Sequence, residues 1–447
     1  MKPPESRKAE LAPNATGGKK SRAEAAESAE FKMTELGPIP VDWEVKRLGE
    51  IFTFKNGYNA SANCYGSGMP VASVLDALSN RPLLRQSIDT KVNAPYKDQD
   101  SFSLKFGDLI FTRSSETLED VGRSNVYLDE GNAMFGGFVI RGRPSALIDS
   151  LFVNYMLNTS PCRIRVMSHG AGTQHFNIGQ SGLEKVLIPL PPLAEQRRIA
   201  RALSDVDELI SALGKLIEKK RNIKTGAIQE LLGMRNEECG MRNVPRRRLP
   251  GFSGEWVEKR LGDCFLINPS DERGTPDEFF YIDLESVSGG ALSLKDKISR
   301  MNAPSRAQRR FKRFDVLFQT VRPYQCNNLY VDFDADTYVA STGYTIIRGT
   351  EMADTRFVYY TMHLNSFVKD VLDRCTGTSY PAINPRGLEE IIINIPPTLA
   401  EQKAIAAVLS DIDAEIAALE ADRAKYERIQ SGMMQELLTG KTRLKGE

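Results

Sequence analysis

Trp43-Glu-Val-Lys-Arg-Leu-Gly49 returns 213 residues later as Trp256-Val-Glu-Lys-Arg-Leu-Gly262, and each copy continues to a phenylalanine, Phe52 and Phe265. Working outward, further pairs follow in unbroken order. Asn93-Ala94-Pro95 returns as Asn302-Ala303-Pro304, and Asp108-Leu-Ile-Phe111 as Asp315-Val-Leu-Phe318. Phe152-Val153 returns as Phe357-Val358, Gly172-Thr173 as Gly377-Thr378, and Gly182-Leu183-Glu184 as Gly387-Leu388-Glu389. Pro191-Pro192 matches Pro396-Pro397, and Leu193-Ala-Glu-Gln196 matches Leu399-Ala-Glu-Gln402 after the extra Thr398. The chain is a tandem duplication, because chance similarity does not keep such an order.

Each copy has two unlike parts. Up to the Pro-Pro pair, short β-branched and aromatic runs alternate with Gly, Asn, Asp and Pro turns, the pattern of a mixed strand and helix module. Asn125–Leu128 and Ala133–Arg141 read as a hairpin closed over residues 129–132, residues 149–168 as one helix, and residues 355–374 as its second copy. Beyond the prolines, which read as helix starts, Ile199, Leu203, Val206, Ile210, Leu213 and Ile217 are spaced by 4, 3, 4, 3 and 4. Ile405, Leu409, Ile412, Ile416 and Leu419 repeat that phase, and the seam slips before Ile223 and Ile429. Forty residues of such helix are ~60 Å long, with an apolar stripe that needs a partner. Either each helix lies only on its own module, or the two pack antiparallel about an approximate two-fold axis. Equal length and shared phase favour the second arrangement.

The expected organisation is a tail at 1–35, a module at 36–192, a helix at 193–233, a linker at 234–255, a module at 256–397, a helix at 398–440 and a tail at 441–447. The fold class is α+β, with two tandem mixed modules separated by a long antiparallel two-helix coiled coil. The Arg246-Arg247-Arg248 run reads either as a solvated linker or as a phosphate contact.

The composition is that of a soluble globular chain: 447 residues, 41% hydrophobic and 26% charged, with a formal charge of +1. No apolar run reaches the ~18–20 residues of a membrane span, and the N-terminus is polar, so a cytoplasmic location is expected. The six scattered cysteines form no C-x-x-C pair and read as reduced thiols. Near-zero net charge leaves any nucleic-acid affinity to local patches. Gly17-Gly18-Lys19-Lys20-Ser21 lacks phosphate-loop spacing, and His169, His175 and His363 lack metal-ligand spacing. Leu190 and Ile395 before the prolines, with Leu193 and Thr398 after, do not form the catalytic motif of an amino methyltransferase. Asp205 and Asp207 read as a solvated helix face. No catalytic residue is nominated, no metal site is expected, and a binding protein is the reading that remains.

Two divergent modules, each opened by W-x-x-K-R-L-G, carrying G-T and ending in P-P before L-A-E-Q and a long helix, resemble the DNA specificity subunit of type I restriction-modification systems. The resemblance runs from about Leu36 to Gly440. It implies two target recognition domains reading the halves of a split site on double-stranded DNA, and a helical spacer that docks two methyltransferase subunits. It also implies no cofactor in this chain, with S-adenosylmethionine, ATP and magnesium used on partner subunits. A restriction motor is left open, so a methylation-only complex is an alternative. A DNA-free coiled-coil scaffold and a single-chain methyltransferase are the rivals from other classes.

Under that implication, base readers and phosphate contacts are sought among polar and basic loop residues. Thr112, Arg113 and Ser114 follow one repeated strand, and Thr320, Arg322 and Tyr324 follow its counterpart. Arg123 and Asn125 lie nearby in sequence. Thr173 and Gln174, and Thr378, Ser379 and Tyr380, occupy the G-T segments, which either contact DNA or fix the module on its helix. Arg300, Arg306, Arg309, Arg310, Lys312 and Arg313 crowd one stretch without an acid and read either as a phosphate-binding patch or as a solvated basic loop. Trp43 and Trp256 read as core anchors.

Overall fold

The computed structural model describes residues 30–235, 243–293 and 295–444. The Gly17–Ser21 run and Cys239 lie outside the described residues. Two compact units divide the chain: one combines the chain up to Ile210 with Tyr426 onward, and the other spans Ser211–Lys425.

In the first unit, Trp43 is fully buried and leads into β1 (Glu44–Arg47). The strands β2 (Phe52–Asn56), β3 (Leu109–Thr112), β4 (Ser124–Val126) and β5 (Val139–Pro144) form an antiparallel sheet of order β2-β5-β3-β4. All four residues of β3, the repeated Leu-Ile-Phe run and Thr112, are buried, as expected for a strand covered on both faces. A second small sheet pairs Tyr65–Ala72 with Lys91–Val92 and, in parallel, with Met134–Phe135. Next come α1 (Ser150–Leu157), α2 (Ser160–Met167), and β6 (Leu187–Leu190), which pairs antiparallel with β1. The helix α3 (Leu193–Leu232) follows directly.

The second unit repeats this topology. β7 (Val257–Arg260) is the counterpart of β1, and β8 (Leu266–Ile267), β9 (Val316–Gln319), β10 (Leu329–Tyr330) and β11 (Tyr344–Arg348) form an antiparallel sheet of order β8-β11-β9-β10. Its companion sheet again contains a parallel pair, Glu278–Ile282 with Tyr338–Ser341, and adds Ala307–Arg309 at one edge. The helices α4 (Thr355–Thr361) and α5 (Asn365–Asp373) precede β12 (Ile392–Ile395), which pairs with β7, and α6 (Leu399–Leu437). The repeated glycines have a packing cause: a Cβ on Gly49 would lie 3.0 Å from the Glu184 side chain, and one on Gly262 would lie 3.0 Å from Glu389. This gives a shared packing reason for the glycine that ends W-x-x-K-R-L-G opposite the glutamate that ends G-L-E.

Four expectations are corrected. The single helices read at 149–168 and 355–374 are each two helices. Thr159 is extended and Pro161, in the first turn of α2, cannot donate to the preceding turn; Leu364 is extended at the second break. The hairpin read over residues 129–132 does not form, because β4 takes the outer edge of β3 while Ala133–Arg141 divides at Gly136-Gly137 between two sheets. Phe31–Thr34, read as tail, pairs with Gly37–Pro40 and brings Ile39 into the core. Of the acidic pair, Asp205 is exposed but Asp207 is partly buried and hydrogen-bonded.

The long helices pair antiparallel within each unit. In the first, Gln430 donates to Asp207, and Leu437 and Leu438 of α6 and its end share a core with Ile199 and Leu203 of α3. In the second, Lys220 meets Glu415, Arg221 meets Glu420 at 2.6 Å and Lys224 meets Asp413 at 2.6 Å, while Ile228 and Leu231 pack with Ile405 and Leu409. Residues 213–228 of α3 carry five cations and one acid, whereas residues 409–424 of α6 carry five acids and one cation. Exposed pairs each contribute little, but this opposition favours α3 with α6 over like with like. Ile223 and Ile429, where the seam slips, are 45% and 39% exposed.

The Leu-Ala-Glu-Gln motif fastens each helix at its first turn. Glu195 accepts from the Trp43 indole at 3.2 Å and from Arg443 at 2.6 and 2.7 Å, and Arg443 also binds Asp42. Glu401 accepts from Trp256 at 3.2 Å and from Arg248 at 2.7 Å. Gln196 accepts from the N–H of Asp149, which caps α1, and Gln402 does the same with Asp354, which caps α4. Arg248, read as part of a solvated linker, and Arg443, read as tail, are therefore equivalent closing residues. The hydrogen bonds to Glu195 and Asp42 hold the Arg443 pKa above its ordinary value. Removing one partner from such a buried pair costs roughly 3–5 kcal/mol.

The Tyr155 hydroxyl and the Gln430 amide both donate to Asp207, yet burial pushes the Asp207 carboxyl above its usual range. A raised folded-state pKa means that the native state holds the proton more tightly than the unfolded chain. The contribution of this group to stability is therefore full below the ordinary carboxylate pKa and is lost as pH rises through the raised one. Asp207→Asn keeps the size and removes the charge; its oxygen can accept from Gln430 while its amide nitrogen donates to the Tyr155 hydroxyl, which turns to accept. Thermal unfolding across pH is expected to show this variant more stable than wild type at neutral pH, with the advantage vanishing toward acid; an advantage that grows toward acid contradicts this.

Candidate nucleic-acid interface

The segments leaving β3 and β9 meet the G-T segments in both modules. Ser114-Ser115 pairs with Phe176-Asn177, and Ile178 donates its N–H to Arg113 O at 3.0 Å. In the second module Val321 bridges Ala382, Arg322 N donates to Pro381 O at 2.7 Å and Ile383 N donates to Thr320 O at 3.1 Å. The G-T stretch is a tight turn closed by reciprocal bonds, Ala171 with Asn177 and Thr376 with Ala382. Its glycine is required: Gly172 has φ +136°, and a Cβ there would stand 2.0 Å from His175 O, while Gly377 has φ +89°. The turn leaves Thr173 and Gln174, and Thr378, Ser379 and Tyr380, exposed at its tip. Its described partners lie on the strand-exit loops.

Strand order makes the modules superposable in logic. Arg113 N donates to Phe138 O just before β5, and Thr320 N donates to Gly343 O just before β11. Thr320 therefore stands where Arg113 stands, and Arg322 where Ser115 stands. The side chains on this common frame differ. Arg113 is half-buried, with one guanidinium nitrogen 3.5 Å from Gly137 O, and the Ser114 hydroxyl donates to Asn177. Beside them is an apolar cavity of about 280 Å³ that includes Tyr65, Leu75 and Phe138 in its lining. In the second module Arg322 is left-handed (φ 54°, ψ 54°), and Cys326 is left-handed at the other end of the single turn Pro323–Gln325. Such backbone costs on the order of 1–3 kcal/mol per residue and persists where surrounding structure over-determines it. The Arg322 guanidinium lies 4.3 Å from the Tyr380 ring centroid, and Tyr324 is 50% exposed.

Other expected residues stand elsewhere. Asn125 is 1% exposed; its amide donates to the carbonyls of Asp76, Ser79 and Arg81, and its oxygen accepts from Val126 N. Every polar group of that side chain is committed to the fold, which removes it from the candidate interface. Thr112 is fully buried with an unpartnered hydroxyl, and Thr320 is 7% exposed with its hydroxyl donated to Gly343 O. Arg123 is half-buried beside Thr112, whose N–H it receives.

The basic stretch is not one patch. Arg306 is exposed and its carbonyl receives Thr342 N, adjacent to the Gly343–Thr320 contact, so it belongs to the exit-loop end of β9. Lys312 and Arg313 lie at the opposite end of β9, where they line a cavity of about 350 Å³ with Arg348, Asp354 and Lys403. Arg310 is spent on Tyr338 O and Asp336 O, Arg309 is half-buried in its strand, and Arg300 is exposed on a short turn. Arg163 escaped the sequence reading; it is half-buried, donates to Glu119 O and Val121 O, and burial lowers its pKa to about 10. Among the described residues no cluster of His, Cys, Asp or Glu is placed to hold a metal ion, and no helix is long and apolar enough to cross a membrane.

Comparison with known proteins agrees with this duplicated frame. The type I restriction modification DNA specificity domain matches the chain twice, over residues 40–222 and 254–428. The chain is 27% identical to the MjaX type I restriction enzyme specificity subunit of Methanocaldococcus jannaschii, over 93% of this chain and 97% of that one. It is 23% identical to the MjaVIII specificity subunit of the same organism, over 91% and 94%. A crystal structure of a type I restriction-modification S subunit from M. genitalium shares the fold, with a TM-score of 0.57, 15% identity and coverage of 88% and 96%. The chain thus belongs to the type I restriction-modification DNA specificity family. Its two modules are target recognition domains, and DNA recognition is the family's function.

Replacing Asn125 by Ala strands three carbonyls that it now serves, a loss of about 1–3 kcal/mol for an unsatisfied buried group. Asn125→Ala is expected to lower the thermal midpoint while leaving the recognised DNA sequence unchanged. A changed sequence at unaltered stability contradicts the structural role.

Proposed function

We propose that this chain is the non-catalytic recognition subunit of a complex with two methyltransferase subunits, reading a two-part site on double-stranded DNA in the cytoplasm. The observation that carries the proposal is the repeated exit-loop and G-T platform, set at the same topological position in both modules but furnished with different side chains. Two readers on one frame with unlike surfaces suit a site with unlike halves. The contacts proposed for DNA are Arg113, Ser114, Thr173 and Gln174 in the first module and Arg306, Arg322, Tyr324, Thr378, Ser379 and Tyr380 in the second. Arg300, Lys312 and Arg313 contribute phosphate charge.

The long helices act as the spacer between the halves of the site and as the docking surface for the methyltransferases. Those partners bring S-adenosylmethionine and the chemistry on adenine; a motor subunit, where the system has one, brings ATP and magnesium. This chain contributes position. Each module, fastened to its helices, offers one reader to the duplex, on which a turn is about 34 Å. The nearly neutral chain draws its DNA affinity from local cations, so binding by the assembled complex should weaken steeply with salt.

Genome-wide mapping of methylated adenines tests the proposal. Deleting this gene is expected to abolish methylation at one two-part motif, and restoring the gene to return it. Methylation that persists in the deletion strain, or that this chain performs without a partner subunit, contradicts it.

A further inference from the structure

We infer that Arg322, held by Tyr380, reads a guanine of the half-site recognised by the second module. The inference rests on the DNA-reading function proposed above and adds one base to it.

Three observations converge on Arg322. First, its place is built. The residue adopts a left-handed conformation between the buried end of β9 and the single turn Pro323–Gln325. That turn is braced from below by Gln319, whose amide donates to Val321 O at 2.7 Å and to Gln325 at 2.9 Å, and whose N–H is received by Asn328 at 2.9 Å. Arg322 N is in turn anchored to Pro381 O. A backbone position unfavourable for a residue with a Cβ is therefore kept by bonds on both sides, and it carries the longest polar side chain available.

Second, the guanidinium is oriented without being neutralised. It stacks on Tyr380 at 4.3 Å, and its Nε is buried without a hydrogen-bond partner. Other arginines of this module are committed: Arg348 to Asp315, Arg273 to Asp271, Arg248 to Glu401 and Arg310 to two carbonyls. Among the described residues Arg322 has no carboxylate within ion-pair distance. Stacking on a ring face limits rotation of the planar fork, and with Nε buried it is the two terminal nitrogens that match the O6 and N7 acceptors of guanine in the major groove.

Third, the pair is absent from the other module. Ser115 occupies the position of Arg322, and its hydroxyl accepts from Thr117 N; His175 occupies the position of Tyr380. The frame does not need an arginine stacked on an aromatic ring in order to fold. The second module alone carries this reader.

The test uses the full chain assembled with its methyltransferase partner, on duplexes carrying the mapped motif with each guanine replaced in turn by 7-deazaguanine, which lacks the N7 acceptor. One guanine in a single half-site is expected to become sensitive, methylation falling on the order of 10- to 100-fold. Arg322→Ala should erase sensitivity at that guanine alone and relax the mapped motif there, with the other half-site unchanged. Tyr380→Leu should weaken the discrimination without moving it to another base. The wild-type arm is independent of variant folding: insensitivity at every guanine overturns the inference. So does an Arg322→Ala complex that keeps every base preference and loses only thermal stability or overall rate. If the wild-type complex methylates no specific sequence, the proposed function itself falls; an intact two-part motif with no guanine dependence on Arg322 removes only this inference.

Discussion

A carboxylate enclosed by protein must have partners, and the whole molecule is arranged around two that do. Glu195 and Glu401 sit in the first turns of the long helices at 2% and 1% exposure, each receiving an indole N–H and an arginine. The tryptophan comes from the module that precedes the helix. The arginine comes from the segment that follows the other helix: Arg443 after α6 closes on Glu195, and Arg248 after α3 closes on Glu401. Three separate stretches of chain are thus required at one charge. Such a site contributes uniqueness of arrangement more than net stability, because the cost of dehydrating the ions offsets much of their attraction. The neighbouring glutamines add direction, since each holds the capped N-terminus of the helix that packs beneath its module.

From this constraint the remaining organisation follows. With each long helix bound to its module at one end, the apolar seam carries pairing along its length, and the opposed charges of residues 213–228 and 409–424 select α6 as the partner of α3. The polar groups in the interface are not alike in the two units. Asp207 meets Tyr155 and the neutral Gln430, whereas its counterpart Asp413 meets the equivalent Tyr360 and the charged Lys224. A duplicated gene has kept the position and changed the partner, as it has in the loop leaving β3 and β9, where Arg322 stands in place of Ser115.

The fold was legible in the sequence where the physics is periodic or duplicated. The seam from Ile199 to Ile217 fixes helix phase through packing, and repetition supplied the module count without any knowledge of strand order. Local pattern failed where long-range pairing decided. Ala133–Arg141 has the alternation of one strand, but Gly136-Gly137 lets it divide between two sheets, and nothing nearby in sequence states which neighbour each part will find. The Arg246–Arg248 run resembled a charged linker because the acid that pairs with Arg248 lies 153 residues away.

The candidate site was legible only in outline. Polarity placed Asn125 and Arg322 in one class, although the fold spends the first on three carbonyls and leaves the second free over a tyrosine ring. Crowding in sequence likewise suggested one basic patch, but the strand Ala307–Arg309 runs through it and leaves Arg306 and Lys312 at opposite ends of β9. Side-chain commitment is a property of three dimensions, and it separates candidate contacts from scaffolding here.

The central claim is that fastened, paired helices determine the separation of the two halves of the DNA site. Its most direct measurement is the mapped methylation motif of a variant with one seven-residue repeat inserted in each helix, after Ile210 and after Lys425. At ~1.5 Å per residue the insertion adds about 10 Å, close to three base pairs. The account predicts that both half-sequences stay the same, that methylation leaves the original gap, and that it moves to sites with a gap longer by about three base pairs. Methylation retained at the original gap would contradict it.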